Sequence, residues 1–341
     1  MKPPNTYMDK DLGRKIVEFD YKKRRYRFPA ELGGRFVPYK ILCTGGFGVI
    51  LVARDQTIFN RNVLIKTAIL PPHLFLHARN TAVEKEVTAN QKRMDIEKKM
   101  LLHAHYRGVG GIPVLIDWIQ DIDPGIRGPH TDADGNEFYR TEKELWNNTT
   151  YLVLSYFDGI ELGEYCKQRR FKNNILGSSR ALAFYLVNTL QKFHEKQKFG
   201  QGELCFVYQD LKPGNILCSM QGDYQLIDFG SFAVITERGA SNTGIGTEGY
   251  IAPETKKTGK KEITPQLDIY SMGVVLKECF QIATGVKNIK KDEDFKNWKL
   301  SNSWKNFLEK CTHQDISKRY KEMWQVRKEL YNLPFKGDLL P

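Results

Sequence analysis

Residues 207–217 of the 341-residue chain read VYQDLKPGNIL and place three reactive side-chain types within six positions. Asp210 is a carboxylate, Lys212 a cation and Asn215 an amide. The stretch is too polar for an ordinary strand, and Pro213 followed by glycine argues against a helix. A plain polar turn is the simplest interpretation, whereas a loop that fixes three functional side chains is the more specific one.

Other motifs bear on that choice. The triplet Asp228-Phe229-Gly230 follows an apolar run, 18 residues after Asp210. Residues 246–254 read GTEGYIAPE, and residues 268–273 read DIYSMG at the start of an apolar, helix-like pattern. Far upstream, a glycine turn joins two β-rich runs, and Lys66 ends the apolar sequence VLIK.

In this order and at these spacings, the motifs resemble the catalytic domain of eukaryotic-type serine/threonine protein kinases over roughly residues 38–325. The resemblance implies an α+β, bilobal fold with a small β-rich N-lobe and a large helical C-lobe. The chain agrees with it, because its first part is rich in strand patterns and the part after about residue 160 in helix patterns. We expect a ligand cleft between the two lobes.

The resemblance also assigns roles in phosphoryl transfer, a reaction that depends on positioning and on charge neutralisation. Asp210 would orient the acceptor hydroxyl and take its proton, and Lys212 would steady the transferred phosphate. Asn215 and Asp228 would hold Mg²⁺, which prefers such oxygen ligands. Lys212 with Thr247 is typical of the serine/threonine branch.

ATP would be bound by the glycine turn, whose backbone N–H groups approach phosphates closely. Lys66 would hold the α- and β-phosphates and needs an acidic partner. Glu97 is favoured over Glu84 and Glu86 because its flanking pattern IEKKMLL resembles the family's helix-C glutamate. The further nucleotide-binding positions that the resemblance implies are Cys43, Gly45, Gly46, Phe47, Gly48, Ile50, Leu64, Leu154, Ser155, Tyr156, Phe157 and Leu217.

The sequence departs from the family at four positions. Cys43 replaces the first glycine of the turn, Leu64 a small alanine beside the adenine, and Ser155 a common acidic residue. Gln209 replaces the arginine that normally meets a phosphate on the activation segment, which here would run over residues 231–254. A neutral amide cannot form that bidentate charged pair, so phosphorylation of the segment should matter less. Arg319, in DISKRY, would pair with Glu254.

The predicted domains are a basic extension (1–37), an N-lobe (38–157, with insertions near 70–90 and 121–148), a C-lobe (158–330) and a tail (331–341). Residues 19–28 fit a strand or a short hairpin, and further strand patterns lie three times within residues 38–70 and in IPVLIDWIQD and YLVLSYF. Helices are predicted over 83–105 and around the stripe of Leu182, Leu186, Leu190 and Phe193. Ser178 or Ser179 would cap the second helix.

The formal net charge is +12, and residues 1–40 hold eleven Lys or Arg against five Asp or Glu. Their densest run, KKRRYR, is either a solvated face or a surface for an acidic partner or nucleic acid. Six scattered cysteines without a CxxC pair suggest a reducing compartment, and no apolar run reaches the roughly 18 residues of a membrane span. We therefore expect a cytoplasmic protein without a membrane span.

The segment DADGN, residues 132–136, superficially resembles a calcium loop. Its glycine falls at the fourth position instead of the sixth, and Lys143 stands where the loop needs glutamate, so a hairpin turn is favoured.

Three functional interpretations remain at the level of sequence. The leading one is an ATP- and Mg²⁺-dependent kinase that phosphorylates Ser or Thr of protein substrates. A kinase-like scaffold with little turnover is the alternative, motivated by Cys43, Leu64 and the basic extension. A small-molecule phosphotransferase is disfavoured by the segment GTEGYIAPE, which resembles the peptide-binding part of protein kinases.

Overall fold

The computed structural model describes residues 4–10, 12–22, 24–45, 48–68, 80–122, 126–127, 130–131, 137–138, 148–199, 202–241, 246–256, 263–285 and 300–334. The chain divides into two compact units. The first comprises Met1–Leu102 and Pro113–Tyr156, and the second His103–Ile112 and Phe157–Pro341. The predicted mixed fold is confirmed: the first unit consists mainly of antiparallel sheet and the second is largely helical.

Two antiparallel sheets dominate the first unit. The smaller one has the strand order β1-β2-β3-β8, and these strands span Asn5–Asp9, Arg14–Tyr21, Arg24–Pro29 and Ile126–Arg127. The larger one has the order β4-β5-β6-β11-β7, with strands Phe36–Gly45, Gly48–Asp55, Arg61–Thr67, Asn148–Ser155 and Leu115–Ile122. The predicted hairpin near KKRRYR, the three strands within 38–70 and the two later strands are therefore present.

A short hairpin, β9 (His130–Thr131) with β10 (Glu137–Phe138), flanks the DADGN segment. The turn itself lies outside the described residues. Helix α1 (Asn80–Tyr106) matches the helix predicted over 83–105, and its last turn belongs to the second unit.

The hydrophobic core of the first unit joins its two sheets. Val17 and Phe28 of the smaller sheet belong to the same buried cluster as Leu51, Val63 and Ile65 of the larger one. Side chains alternate between the two faces of a sheet, so every second side chain of β2 and β3 points toward the same face and can join this cluster. The first 37 residues therefore contribute core side chains to this unit.

The basic run KKRRYR is divided between surface and interior. Arg24 and Arg25 are exposed, whereas Arg27 has no exposed surface and forms ion pairs with Asp9 and with Glu18, the latter at 3.7 Å. A buried guanidinium needs such partners, because an unpaired charge in the interior is costly. Arg27 therefore serves the fold and is not part of a surface for an acidic partner.

The second unit is built around helices. α2 to α7 span Leu162–Cys166, Arg169–Lys172, Ile175–His194, Gln266–Thr284, Asn302–Cys311 and Met323–Asn332. Two small sheets accompany them. One has the order β12-β15-β16 (Ile160–Glu161, Ile216–Cys218, Tyr224–Leu226), and the other β13-β14-β17-β18 (Gln197–Phe199, Gly202–Val207, Ala233–Thr236, Gly239–Ala240).

Helix α4 follows the predicted apolar stripe, since Leu182, Leu186, Leu190 and Phe193 are all buried. The predicted cap at Ser178 or Ser179 is wrong. The helix begins at Ile175, one turn earlier, and the side chain of Asn174 accepts a hydrogen bond from the Gly177 amide. Asparagine satisfies an orphan amide as well as serine does, so a second polar residue upstream displaced the expected cap.

None of the helices in the described part of the chain combines the length and apolar character needed to cross a bilayer.

We predict that Phe28→Ala lowers the free energy of unfolding by about 3–5 kcal/mol, because it empties a filled core position. Urea denaturation of the full chain measures the change. Phe59→Ala is the matched control, since Phe59 is fully exposed, and it should leave the stability nearly unchanged. A Phe28→Ala variant as stable as the Phe59→Ala control would contradict the contribution of the smaller sheet to the core.

Candidate active site

The stretch VYQDLKPGNIL connects two strands of the second unit. β14 ends at Val207, a 3₁₀ turn spans Pro213–Asn215, and β15 begins at Ile216. Pro213 suits the first position of that turn, because its fixed φ is already close to helical and its missing N–H is not needed there. The loop of residues 208–212 is thus held between two anchored strands.

Three polar side chains converge on Asp210. The Thr247 hydroxyl donates to Asp210 Oδ1 at 2.6 Å, and Lys212 Nζ lies 2.8 Å from both Asp210 Oδ2 and Thr247 Oγ1. Asn215 Nδ2 donates to the main-chain carbonyl of Asp210 at 2.8 Å and to its Oδ2 at 3.0 Å. The structure thus brings together the predicted residues Asp210, Lys212, Asn215 and Thr247.

The loop backbone is anchored on Asp268, a fully buried carboxylate in the first turn of α5. Its two oxygens accept hydrogen bonds from the Tyr208 and Gln209 amides at 2.8 and 2.9 Å. His194 Nε2, at the end of α4, lies 2.8 Å from Asp268 Oδ2. Gln209 has a φ of 69°, a left-handed conformation that a non-glycine residue holds only when its surroundings enforce it.

Asp228 also has a left-handed backbone, with a φ of 65°. The residue before it is held on both sides, because the Ile227 amide donates to the Asn215 carbonyl at 2.9 Å and the Ile227 carbonyl accepts from the Tyr208 hydroxyl. Burial raises the pKa of the Tyr208 phenol, and the negative charges of Asp228 and Asp210 raise it further. The phenol therefore stays protonated and remains a donor.

The residues after Asp228 pack into the apolar interior of the second unit. Phe229 is fully buried and stacks on Phe232 with ring centroids 5.4 Å apart. Both rings also contact Phe193 of α4 and the Tyr208 ring. This packing ties the Asp228 segment to the loop that carries Asp210.

The segment of residues 231–254 is held at both ends. β17 pairs with β14 over four residues, and β18 folds back on β17. At the far end, the guanidinium of Arg319 donates two hydrogen bonds of 2.7 and 2.6 Å to the carboxylate of Glu254, as the sequence predicts. Such a bidentate pair fixes orientation as well as distance. Residues 242–245 lie outside the described residues.

In the first unit, Lys66 Nζ lies 2.9 Å from Glu97 Oε1 and 2.7 Å from Glu97 Oε2. Glu97 is buried, whereas the Lys66 side chain keeps 20% of its surface exposed, so the pair holds the ammonium group without enclosing it. The side chains of the competitors Glu84 and Glu86 lie outside the described residues.

The glycine turn lies between β4 and β5, and Gly46 and Phe47 fall outside the described residues. Gly45 ends β4 and Gly48 begins β5. A Cβ at Gly48 would lie 2.1 Å from the Thr67 carbonyl oxygen, so only glycine fits this close approach of two strands.

The other predicted nucleotide-binding residues are distributed over both units. In the first, Cys43 is exposed, Ile50 is half-buried, and Leu64 and Leu154 are buried partners across β6 and β11. Ser155 Oγ accepts a hydrogen bond from the Val114 amide at 2.9 Å, and Tyr156 is exposed. In the second unit, Phe157 and Leu217 are half-buried.

Sequence reasoning missed the anchoring role of Asp268 and the contribution of His194. The helix-opening motif DIYSMG marked Asp268 as notable, but nothing in it indicated which amides the carboxylate accepts. His194 directly follows Phe193, the last residue of the apolar stripe. That position was the one indication in the sequence that its side chain lies near the interior. Ser231 opens the predicted activation segment, and its side chain is buried.

Comparisons with known proteins agree with this geometry. The family profile described as "Protein kinase domain" matches residues 136–331, which is more than half of the chain. The chain is 29% identical over 193 residues to the serine/threonine-protein kinase CLA4 of Candida albicans, covering 51% of this chain and 18% of that protein. It is 32% identical over 142 residues to the mitogen-activated protein kinase kinase SIPKK of Nicotiana tabacum, covering 41% and 36%.

A third relative is the serine/threonine-protein kinase MRCK gamma of Mus musculus, with 33% identity over 129 residues, covering 36% of this chain and 8% of that protein. The chain therefore spans well under half the length of each of these relatives.

We predict that Asp268→Asn destabilises the full chain by about 3 kcal/mol, because an amide cannot accept all the hydrogen bonds that the buried carboxylate receives. Chemical denaturation measures this loss. Glu309→Gln, at an exposed position of α6, is the control and should be nearly neutral. A neutral Asp268→Asn variant would contradict the anchoring role.

Proposed function

Because this chain belongs to the protein kinase family, we propose that it is a serine/threonine protein kinase that transfers the γ-phosphoryl group of ATP to protein hydroxyls. The observation that carries the proposal is the set of contacts among Asp210, Lys212 and Thr247. One oxygen of Asp210 already accepts a hydrogen bond from an alcohol, and the other faces an ammonium group. A serine or threonine that accepts a phosphoryl group needs a carboxylate that accepts a hydrogen bond from its hydroxyl, next to a cation that can contact the phosphate.

The proposed metal ligands are Asn215 and Asp228. Both donations from Asn215 Nδ2 go to Asp210, so the amide oxygen is the atom left to ligate a cation. An amide oxygen together with a carboxylate forms a hard donor set that fits Mg²⁺. Mg²⁺, when bound, neutralises the negative charge of the phosphate oxygens.

The chain's own residues would divide the remaining work. Asp210 would align the acceptor hydroxyl and take its proton at a carboxylate oxygen, and Lys212 would contact the phosphate as it moves. Lys66, oriented by Glu97, would bind the α- and β-phosphates. Positioning of this kind supplies most of the catalysis in phosphoryl transfer, because the protein forms no covalent bond to the phosphate.

Control of this activity is proposed not to depend on phosphorylation of residues 231–254. Gln209 is neutral and 7% exposed, and its amide donates to the main-chain carbonyl of Ser231 at 2.7 Å. It therefore offers no cation for a phosphate. Main-chain pairing of β17 with β14 supports the same proposal, since it orders the start of the segment without any added charge.

A kinase-like scaffold with little turnover is the second candidate. It is favoured by Cys43, which adds a Cβ where the turn usually has glycine, and by Leu64, a bulky buried residue at a position that is usually small. A thermal-shift titration separates the candidates. Stabilisation by ATP with Mg²⁺ supports the enzyme, and no shift at millimolar nucleotide supports the scaffold.

We predict that the full chain, given radiolabelled ATP, Mg²⁺ and generic acceptor proteins, labels serine and threonine. Asp210→Asn should lower the rate by about a hundredfold or more, since it removes the proton acceptor. Asp228→Asn should do the same through loss of a metal ligand. Asp223→Asn, an exposed carboxylate of the same unit, is the control. Undiminished labelling in both active-site variants would contradict the proposed kinase activity.

We predict further that phosphatase treatment, Thr236→Ala and Ser241→Ala each leave the labelling rate unchanged. The reason is that the neutral Gln209 offers no cation to bind a phosphate. Both side chains are exposed, so the substitutions should not disturb the fold. Thr247→Ala is the positive control and should reduce the rate, since it removes a hydrogen bond to Asp210. A strong loss in Thr236→Ala would instead reveal an activating phosphorylation site.

A further inference from the structure

Two reciprocal hydrogen bonds connect the loop that carries Asp210 to the segment that follows Asp228. The Gln209 side-chain amide donates to the main-chain carbonyl of Ser231 at 2.7 Å, and the Ser231 hydroxyl donates to the main-chain carbonyl of Tyr208 at 3.2 Å. Gln209 is 7% exposed and Ser231 is 6% exposed. We call this arrangement the Gln209–Ser231 clamp.

Burial makes the clamp consequential. A buried carbonyl that loses its donor keeps the full cost of desolvation, whereas an exposed one is satisfied by water. Each residue of the clamp satisfies a main-chain carbonyl on the other segment, so the two segments cannot separate without leaving both carbonyls unpaired. The clamp therefore restricts the relative position of the two segments more than a single surface hydrogen bond would.

The clamp lies beside two strained backbones. Gln209 and Asp228 both adopt positive φ, at 69° and 65°. Conformations of this kind are unfavourable for residues other than glycine and persist where the surrounding structure enforces them. Gln209 directly precedes Asp210, so strain that is held at Gln209 sets the direction in which the chain enters Asp210.

Asp228 is fastened on both of its sides. On the preceding side, Ile227 uses its amide and its carbonyl to bind Asn215 and Tyr208. On the following side, Phe229 packs against the Tyr208 ring, and Ser231 adds the hydrogen bonds that return to the same loop. If the clamp opens, Asp228 loses these hydrogen bonds on its following side.

We propose that Gln209 and Ser231 are positioning residues that set the placement of the metal ligand Asp228 relative to Asp210 and Asn215. The proposal rests on the proposed kinase function and adds a positive role for Gln209. The residue does not merely lack a charge, but supplies the N–H donor that closes the clamp. The clamp uses only neutral groups of the chain, so it is closed as soon as the chain has folded.

The test compares the full chain with two variants and a matched control. Gln209→Glu keeps the length of the side chain but replaces the donating N–H₂ with an oxygen that repels the Ser231 carbonyl. Ser231→Ala removes only the second bond, because Gln209 can still donate to the main chain. Ser241→Ala removes an exposed hydroxyl of the same segment that is no part of the clamp.

A positioning role and a general loss of stability have different signatures. We expect Gln209→Glu to lower kcat by about tenfold and to raise the Mg²⁺ concentration for half-maximal rate several-fold, since a misplacement of about 1 Å can cost up to a hundredfold in rate. Ser231→Ala should shift both in the same direction by less. The melting temperature is measured for every variant, and Ser241→Ala should match the wild type throughout.

Amide hydrogen exchange over residues 227–236 provides a readout that needs no catalysis. Opening of the clamp should accelerate exchange there in Gln209→Glu and leave α4 protected. Wild-type Mg²⁺ dependence together with wild-type exchange in Gln209→Glu overturns the proposal, as does a loss of melting temperature alone. If the wild type transfers no phosphate, the proposed function fails, and the exchange experiment still decides whether the clamp holds the Asp228 segment.

Discussion

The second unit depends on one buried carboxylate. Asp268 lies in the first turn of α5 with no exposed surface and binds two consecutive amides of the loop before Asp210, together with His194 of α4. Two consecutive amides can point at one carboxylate only if the chain turns sharply, and the positive φ of Gln209 provides that turn. A helix, a second helix and a loop are thus fixed by a single side chain. The strain at Gln209 is stored where the acceptor hydroxyl would be handled, as is common in functional sites.

Around this anchor, the segments that carry chemistry are connected mainly by main-chain groups. Ile227 binds the loop with its amide and its carbonyl, and β17 pairs with β14. Among these segments, ion pairs join Lys212 to Asp210 and Arg319 to Glu254. Main-chain contacts are insensitive to salt, whereas ion pairs near the surface are screened. The geometry of the loop should therefore vary little with ionic strength.

The sequence predicted residues whose chemistry is carried by their type and spacing. Lys66 and Glu97 form the expected ion pair, and the loop residues Asp210, Lys212 and Asn215 converge, because motif order encodes these contacts. It did not indicate which side chains are buried or which hydrogen-bond partners they have. Arg27 belongs to the basic run that could have been a surface patch but is buried, and nothing in the sequence indicated that Ser231 is buried and donates to the Tyr208 carbonyl. Such outcomes depend on tertiary packing of distant segments, which local patterns do not contain. The predicted cap at Ser178 or Ser179 was wrong for a simpler reason, since several polar residues nearby, Asn174 among them, could each serve.

The shared core of the first unit links its amino-terminal strands to the strand that carries Lys66. Val63 and Ile65 precede Lys66 on β6. Their buried side chains pack in one cluster with Val17 and Phe28. Close-packed interiors transmit displacement, so these strands cannot loosen while β6 stays rigid. We therefore expect the amino-terminal strands and β6 to open to solvent together, so that proteolytic cleavage near residue 20 would also loosen β6 around Lys66.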